Sequence, residues 1–169
     1  MLVSAATATY AWTRPAPAPR PLLAAPPPEA TCFPILHSGS FGYGLAAVQN
    51  RSDRTAVLES VRLIRPSPGL VTVRAYVAMG GLKRYGMAQA WRTWPPHARV
   101  VRQLHEIKGF RVPPHTRWWP NFIFHLRWPR RGAVRSPGIL IHYHDADHEY
   151  TLVDPLALSV SPTSPCELS

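Results

Sequence analysis

Lysine is nearly absent from this chain: Lys83 and Lys108 are the only two among 19 basic residues, and the acids number nine. The formal charge of +10 is therefore carried by arginine. Nine acids are too few to single out a carboxylate pair for acid–base work, and no G-x-S-x-G, H-E-x-x-H, C-x-x-C or EF-hand spacing occurs. Gly39-x-x-Gly42-x-Gly44 has neither the spacing nor the lysine of a phosphate-binding loop. These absences argue against a hydrolase and against a phosphate-cradling loop, and no catalytic residue is assigned. Long apolar runs are missing as well. Met1–Trp12 is uncharged and mildly apolar, but a bilayer span needs about 20 such residues. It also lacks the basic leader of a signal peptide.

What is present suits one domain with a real core: 169 residues, 46% of them hydrophobic. The 20 prolines and 10 glycines limit helix length and favour strands. Of the charge, the first thirty residues hold only Arg14, Arg20 and Glu29, which leaves +9 on the remainder. Such a surface attracts lipid headgroups, acidic wall polymers or nucleic acid, or is simply a solvated basic exterior. The arginine bias, beside abundant alanine and proline, also has the look of a GC-rich genome.

Composition divides the chain in three. Residues 1–13 read as the outer end of a signal-anchor that begins upstream. Residues 14–30, with Pro15, Pro17, Pro19, Pro21 and Pro26-Pro27-Pro28, read as a disordered spacer. In polyproline II form it would hold a domain about 40–50 Å from a surface. Residues 31–169 form the globular part. Cys32 and Cys166 sit just inside its two ends. A disulfide between them would close nearly the whole domain, worth up to about 5 kcal/mol in the chain-entropy model, and implies an oxidising compartment. Two free thiols imply a reducing one.

Phe41–Asn50, Val57–Arg65 and Leu70–Ala78 read as strands separated by turn-rich Asn50-Arg-Ser-Asp53 and Pro66-Ser-Pro-Gly69. Along the second, Val57, Glu59, Val61 and Leu63 share the more apolar face. Met79–Pro96 reads as a long loop, and Val100, Val101, Leu104 and Ile107 fit a short helix or an irregular strand. Trp118–Trp128 returns to strand character, with Phe122, Phe124 and Leu126 opposite Ile123, His125 and Arg127. A basic loop follows at Pro129–Pro137, and Leu156–Val160 offers a last edge strand.

The clearest signal is Gly138–Val153, two alternating runs around Asp145-Ala-Asp-His148. A four-residue loop sets Tyr143 opposite Tyr150 and Ile141 opposite Leu152, whereas a three-residue loop mixes polar with apolar on the buried side. The first register is the expected one. It turns His142, His144 and Glu149 outward together, a set able to converge on zinc or copper, with His148, His125 and His115 as further nitrogen donors. The same residues are equally the polar face of a solvated strand.

A second candidate is the run holding Arg117, Arg127, Arg130, Arg131 and Arg135 among Trp118, Trp119 and Trp128. Arginine forks bind phosphate and tryptophan stacks on rings, so an anionic polymer, a lipid surface or nucleic acid would fit, nucleic acid least. Alternatively the arginines cover core tryptophans with their stems. Asn50-Arg-Ser52 also matches a glycosylation acceptor, relevant in a eukaryotic secretory setting.

The sequence of Asn50-x-Ser52, Val57-Leu-Glu-Ser-Val61, Gly109-Phe-Arg-Val-Pro-Pro114, a strand, then Gly138 with Ile141-x-Tyr143 and Tyr150-Thr151 resembles membrane-anchored, immunoglobulin-like proteins of actinobacteria. The resemblance spans roughly residues 40–160 and implies an extracytoplasmic antiparallel β-sandwich of about seven to nine strands. It brings no catalytic residues. The expectation is a tethered module of the cell envelope that binds an envelope protein or an anionic polymer.

Overall fold

Residues 20–24, 32–34, 39–46, 48–78, 88–96, 98–116, 120–128, 132–155 and 157–161 are described by a computed structural model. Alternation dominates them, and they fold as an all-β structure. Six strands have six to eight residues: β3 (Gly39–Ala46), β5 (Ala56–Leu63), β6 (Val71–Ala78), β10 (Asn121–Trp128), β12 (Ile139–His144) and β13 (Glu149–Asp154). Eight are shorter: β1 (Leu22–Ala24), β2 (Cys32–Pro34), β4 (Val48–Asn50), β7 (Ala88–Trp91), β8 (Leu104–Glu106), β9 (Arg111–Val112), β11 (Val134–Ser136) and β14 (Leu158–Ser161). These short segments take the number above the seven to nine expected. Too short to show a period, they escape a reading based on alternation.

The strands make four sheets, in the orders β7-β3-β10-β6-β8, β13-β12-β5-β9, β11-β14-β2 and β1-β4. All pairings between described strands are antiparallel except β14 with β2. One core cluster draws on all four sheets: Phe122, Phe124 and Leu126 from β10, Leu58 and Val61 from β5, Ile139, Ile141 and Tyr143 from β12, Val160 from β14 and Leu22 from β1. Each such side chain, fully removed from water, contributes roughly 1.5–3 kcal/mol.

The hairpin of β12 and β13 has the expected register, with Tyr143 opposite Tyr150 and Ile141 opposite Leu152. β10 also divides as expected, with Phe122, Phe124 and Leu126 in the main core and Arg127 exposed. Elsewhere tertiary pairing overrides the pattern. In β5 the register against β12 slips, so that Leu58 faces Tyr143 and Ser60 faces His142, with Glu59 left over as a bulge. The extra residue reverses the phase. Ala56 and Leu58 are buried before it and Val61 and Leu63 after it, in place of one uniform face from Val57 to Leu63.

Four further expectations are corrected. The stretch read as a basic loop contains β11, whose Arg135 carbonyl accepts from the Ser67 N–H and whose Arg135 N–H donates to the Ser67 hydroxyl. The expected edge strand is β14, which lies in the centre of its sheet. β7 emerges from the segment read as loop and pairs with β3; the stretch left between helix and strand holds both, a single helical turn α1 (Ala98–Val101) and then β8. The spacer is interrupted too. Leu22–Ala24 pairs with β4, Leu22 is fully buried, and its N–H donates to the Tyr143 hydroxyl at 3.4 Å. This is the apolar part of the proline-rich segment, and a proline at the start of a short edge strand loses no ladder bond.

No helix among the described residues is long and apolar enough to cross a membrane. Residues 1–13 and Cys166 lie outside the described residues, and so does the expected disulfide. Its partner Cys32 pairs along the backbone with Ser159.

Candidate ligand-binding surface

The five-stranded sheet has a second face, turned away from the main core. A row of residues crosses four of its strands: Trp91 on β7 pairs with Gly42 on β3, Gly42 with His125 on β10, and His125 with Arg74 on β6. Below this row Ile123 and Ala78 are buried with Val100 of α1, and Tyr76, Trp91, Trp94 and Leu104 pack against them.

The glycines make this face possible. A Cβ on Gly42 would meet Trp91 at 2.9 Å and Trp94 at 3.4 Å, and one on Gly44 would meet Ile123 and Trp91, both at 2.9 Å. Without side chains there, the two tryptophans settle onto the strand itself. Trp94 then stacks on His125, with ring centroids 4.5 Å apart, and on Tyr76 at 5.6 Å. Arg74 lies 5.4 Å from the centre of the Tyr76 ring and forms an ion pair with Glu106. Beyond His125, Arg127 pairs with Val71 at the exposed end of the sheet. Desolvation beneath Trp94, helped by the charge on Arg127, pushes the His125 pKa down. His125 Nε2 is buried and makes no hydrogen bond among the described residues.

Of the expected anion-binding arginines, Arg127 stands on this face. Arg135 is exposed on β11, in a different sheet. Arg117, Arg130 and Arg131 lie outside the described residues. Sequence reasoning missed Trp91, Trp94, Tyr76 and Arg74, which come from two separate segments. The available signal was the Gly42-x-Gly44 pair within a strand, which marks a close approach of another group.

The expected metal set behaves differently. His144 and Glu149 are paired across the hairpin and line a shallow groove of about 540 Å³ with Glu59. Each imidazole is held by protein groups. His144 Nδ1 donates to the Asp145 carbonyl at 2.9 Å, and its Nε2 is 3.2 Å from Glu59, the bulged residue. His142 contacts Thr151 at 3.1 Å and the Arg62 guanidinium at 3.5 Å. A cation at His142 Nε2 would face that guanidinium, which favours a hydrogen-bonded strand face.

Among the described residues the three donors that lie within mutual reach are a different set, Asp145, Asp147 and His148. A cation already serves it. Arg54 bridges Asp145 at 3.3 Å and Asp147 at 2.6 Å. The Asp145 side chain is 1% exposed. Burial alone would raise its pKa. Hydrogen bonds from the Asp147 and His148 N–H groups, the Tyr150 hydroxyl and Arg54 outweigh that and hold it at about 2.

Arg54 belongs to a turn built the same way. Asn50 is fully buried, donates from Nδ2 to the carbonyls of Arg54 and Val112, and accepts from Ser52 N–H and hydroxyl. The apparent glycosylation acceptor is thus the buried scaffold of the β4–β5 turn.

Comparisons with family models, with curated proteins and with solved structures gave no match.

Proposed function

We propose that this protein is an interaction module of the cell envelope, an immunoglobulin-like β-sandwich held outside the membrane by the proline-rich residues ahead of β1. The second face of the five-stranded sheet binds an anionic polymer with ring-bearing units, a phosphorylated wall polysaccharide being the class that supplies both. The observation that carries this reading is Trp94 lying flat on His125 in a row that ends at Arg74, with Arg127 beside it. Rings stack on sugars whatever their substituents, and guanidinium forks take phosphate in pairs of hydrogen bonds. The charge of +10 and the position of Arg130 and Arg131 just after β10 support the same reading. Export rests on the resemblance and on the placement of Cys32 and Cys166.

The test is binding of the full chain to a sugar-phosphate wall polymer over a range of salt. Arg127→Gln should weaken binding and lower the salt slope by about one, while Trp94→Leu should cost about 1–3 kcal/mol at every salt concentration. Binding unaffected by both changes would overturn the assignment of this face. Equal affinity for duplex DNA would overturn the preference for ring-bearing wall polymer, because charge alone would then explain it.

A further inference from the structure

At the turn end of the hairpin a cavity of about 480 Å³ opens between the start of β1, the β4–β5 turn and the β12–β13 turn. Its size is that of a small-molecule site. Arg20, Arg51 and Arg54 line it together with two acids, Asp53 and Asp145. The Asp145 charge is met by its own donors, while Asp53 stands exposed at the rim. Asp145 is enclosed by four donors, and Asp53 lies 2.6 Å from the imidazole of His115. Arg54 is fixed by Asp145 and Asp147, which leaves the exposed guanidinium groups of Arg20 and Arg51 at the mouth. Pro21, Leu23 and the Tyr150 ring supply an apolar wall. Leu23 is 41% exposed although it sits on a strand, so among the described residues this wall is left open.

We propose that this cavity binds a small organic anion, a phosphate or carboxylate head with a short apolar or aromatic body. The head lies against Arg20 and Arg51, and the body lies on Leu23 and the Tyr150 ring. Both turns that form the site are tied internally, one through Asn50 and one through Asp145, so the cavity is shaped before any ligand arrives. That arrangement is what lets a modest number of contacts give measurable affinity. The site is separate from the tryptophan face, and its ligand does not depend on the polymer reading.

The experiment is a titration of the full chain with phenyl phosphate, inorganic phosphate and benzoate, followed by calorimetry and by amide shifts at Ser52 and His148. Phenyl phosphate should bind saturably and at least several-fold more tightly than inorganic phosphate. The double variant R20Q/R51Q should weaken it at least about tenfold, because two charge-assisted contacts are lost. Both arginines are exposed, so this variant keeps the fold, which unchanged amide shifts in β12 confirm. Leu23→Ser should remove the advantage of phenyl phosphate over inorganic phosphate, and Trp94→Leu should leave both affinities unchanged. No saturation below about 10 mM, or full binding retained in R20Q/R51Q, overturns the site. Equal affinity for the two phosphates overturns the apolar wall as part of it.

Discussion

Trp94 lies flat on His125, with ring planes 7° from parallel. The imidazole beneath has its Nε2 sealed from water and without a hydrogen bond among the described residues. Burial and the neighbouring Arg127 both disfavour its charged form.

His125 should therefore titrate below the ordinary histidine value of about 6.5. The folded pKa is lowered, so the unfolded chain takes up the proton first as pH falls. The stability this gives is present above about pH 6.5 and is lost as pH drops through the folded value. Carbon-bound ring protons in NMR report the midpoint. A His125 midpoint at or above about 6.5 would count against the stacked, desolvated geometry.

Gly44→Ala tests how closely the tryptophans approach the sheet. The new methyl would lie 2.9 Å from both Ile123 and Trp91. Overpacking of this kind costs about 1–3 kcal/mol, and it should also change the near-ultraviolet dichroism of the tryptophans. Gly42→Ala, opposed by Trp91 at 2.9 Å, should act in the same direction. A stable variant with an unaltered tryptophan signal is the outcome that removes the close approach.

Asp145 should set part of the acid limit of the fold. Its carboxyl is held at about 2 against an ordinary 3.8. Because the folded value is lowered, the stabilisation is complete above about pH 4 and disappears as pH falls from there towards about 2. It amounts to about 2 kcal/mol at most, and salt reduces the part contributed by the half-exposed Arg54. In urea titrations Asp145→Asn should lose stability at pH 7 and show a flatter pH dependence between pH 2 and 4. Parallel curves for variant and parent would refute this role.

Asn50→Ala should cost about 2–4 kcal/mol, since several buried partners lose their hydrogen bonds at once. Ser52→Ala destroys the same glycosylation motif but leaves the Asn50 amide in place, so it should cost much less. Equal losses in urea would mean that the turn does not depend on the buried amide. Expression in a glycosylating host should yield a folded chain without a glycan on Asn50.

These cases separate what is local in this fold from what is not. The register of β12 against β13 was readable because a one-residue slip would bring Glu149 opposite Tyr143, a local mismatch visible in the letters alone. The two faces of β10 were readable for the same reason. β5 was not. Its bulge at Glu59 is imposed by pairing with β12, some eighty residues away in the chain, and alternation cannot announce an extra residue.

The candidate site followed the same division. Arg127 was singled out as an arginine in a tryptophan-rich run, and a strand period places it opposite the core. Trp91, Trp94, Tyr76 and Arg74 come together through the strand order β7-β3-β10-β6, and no single segment carries that order. The cavity walled by Arg51 and Tyr150 likewise needs two turns brought together from distant parts of the chain.

The sequence by itself determined an all-β chain, the hairpin register and the outward set of His142, His144 and Glu149, because side-chain period and cross-strand matching act over a few residues. Only the tertiary structure decided which neighbours those residues meet. Glu59 and Arg62 occupy the histidines, Arg54 joins two turns through Asp145, and Gly42 allows Trp94 to rest on His125, since each contact depends on pairings between strands far apart in the chain.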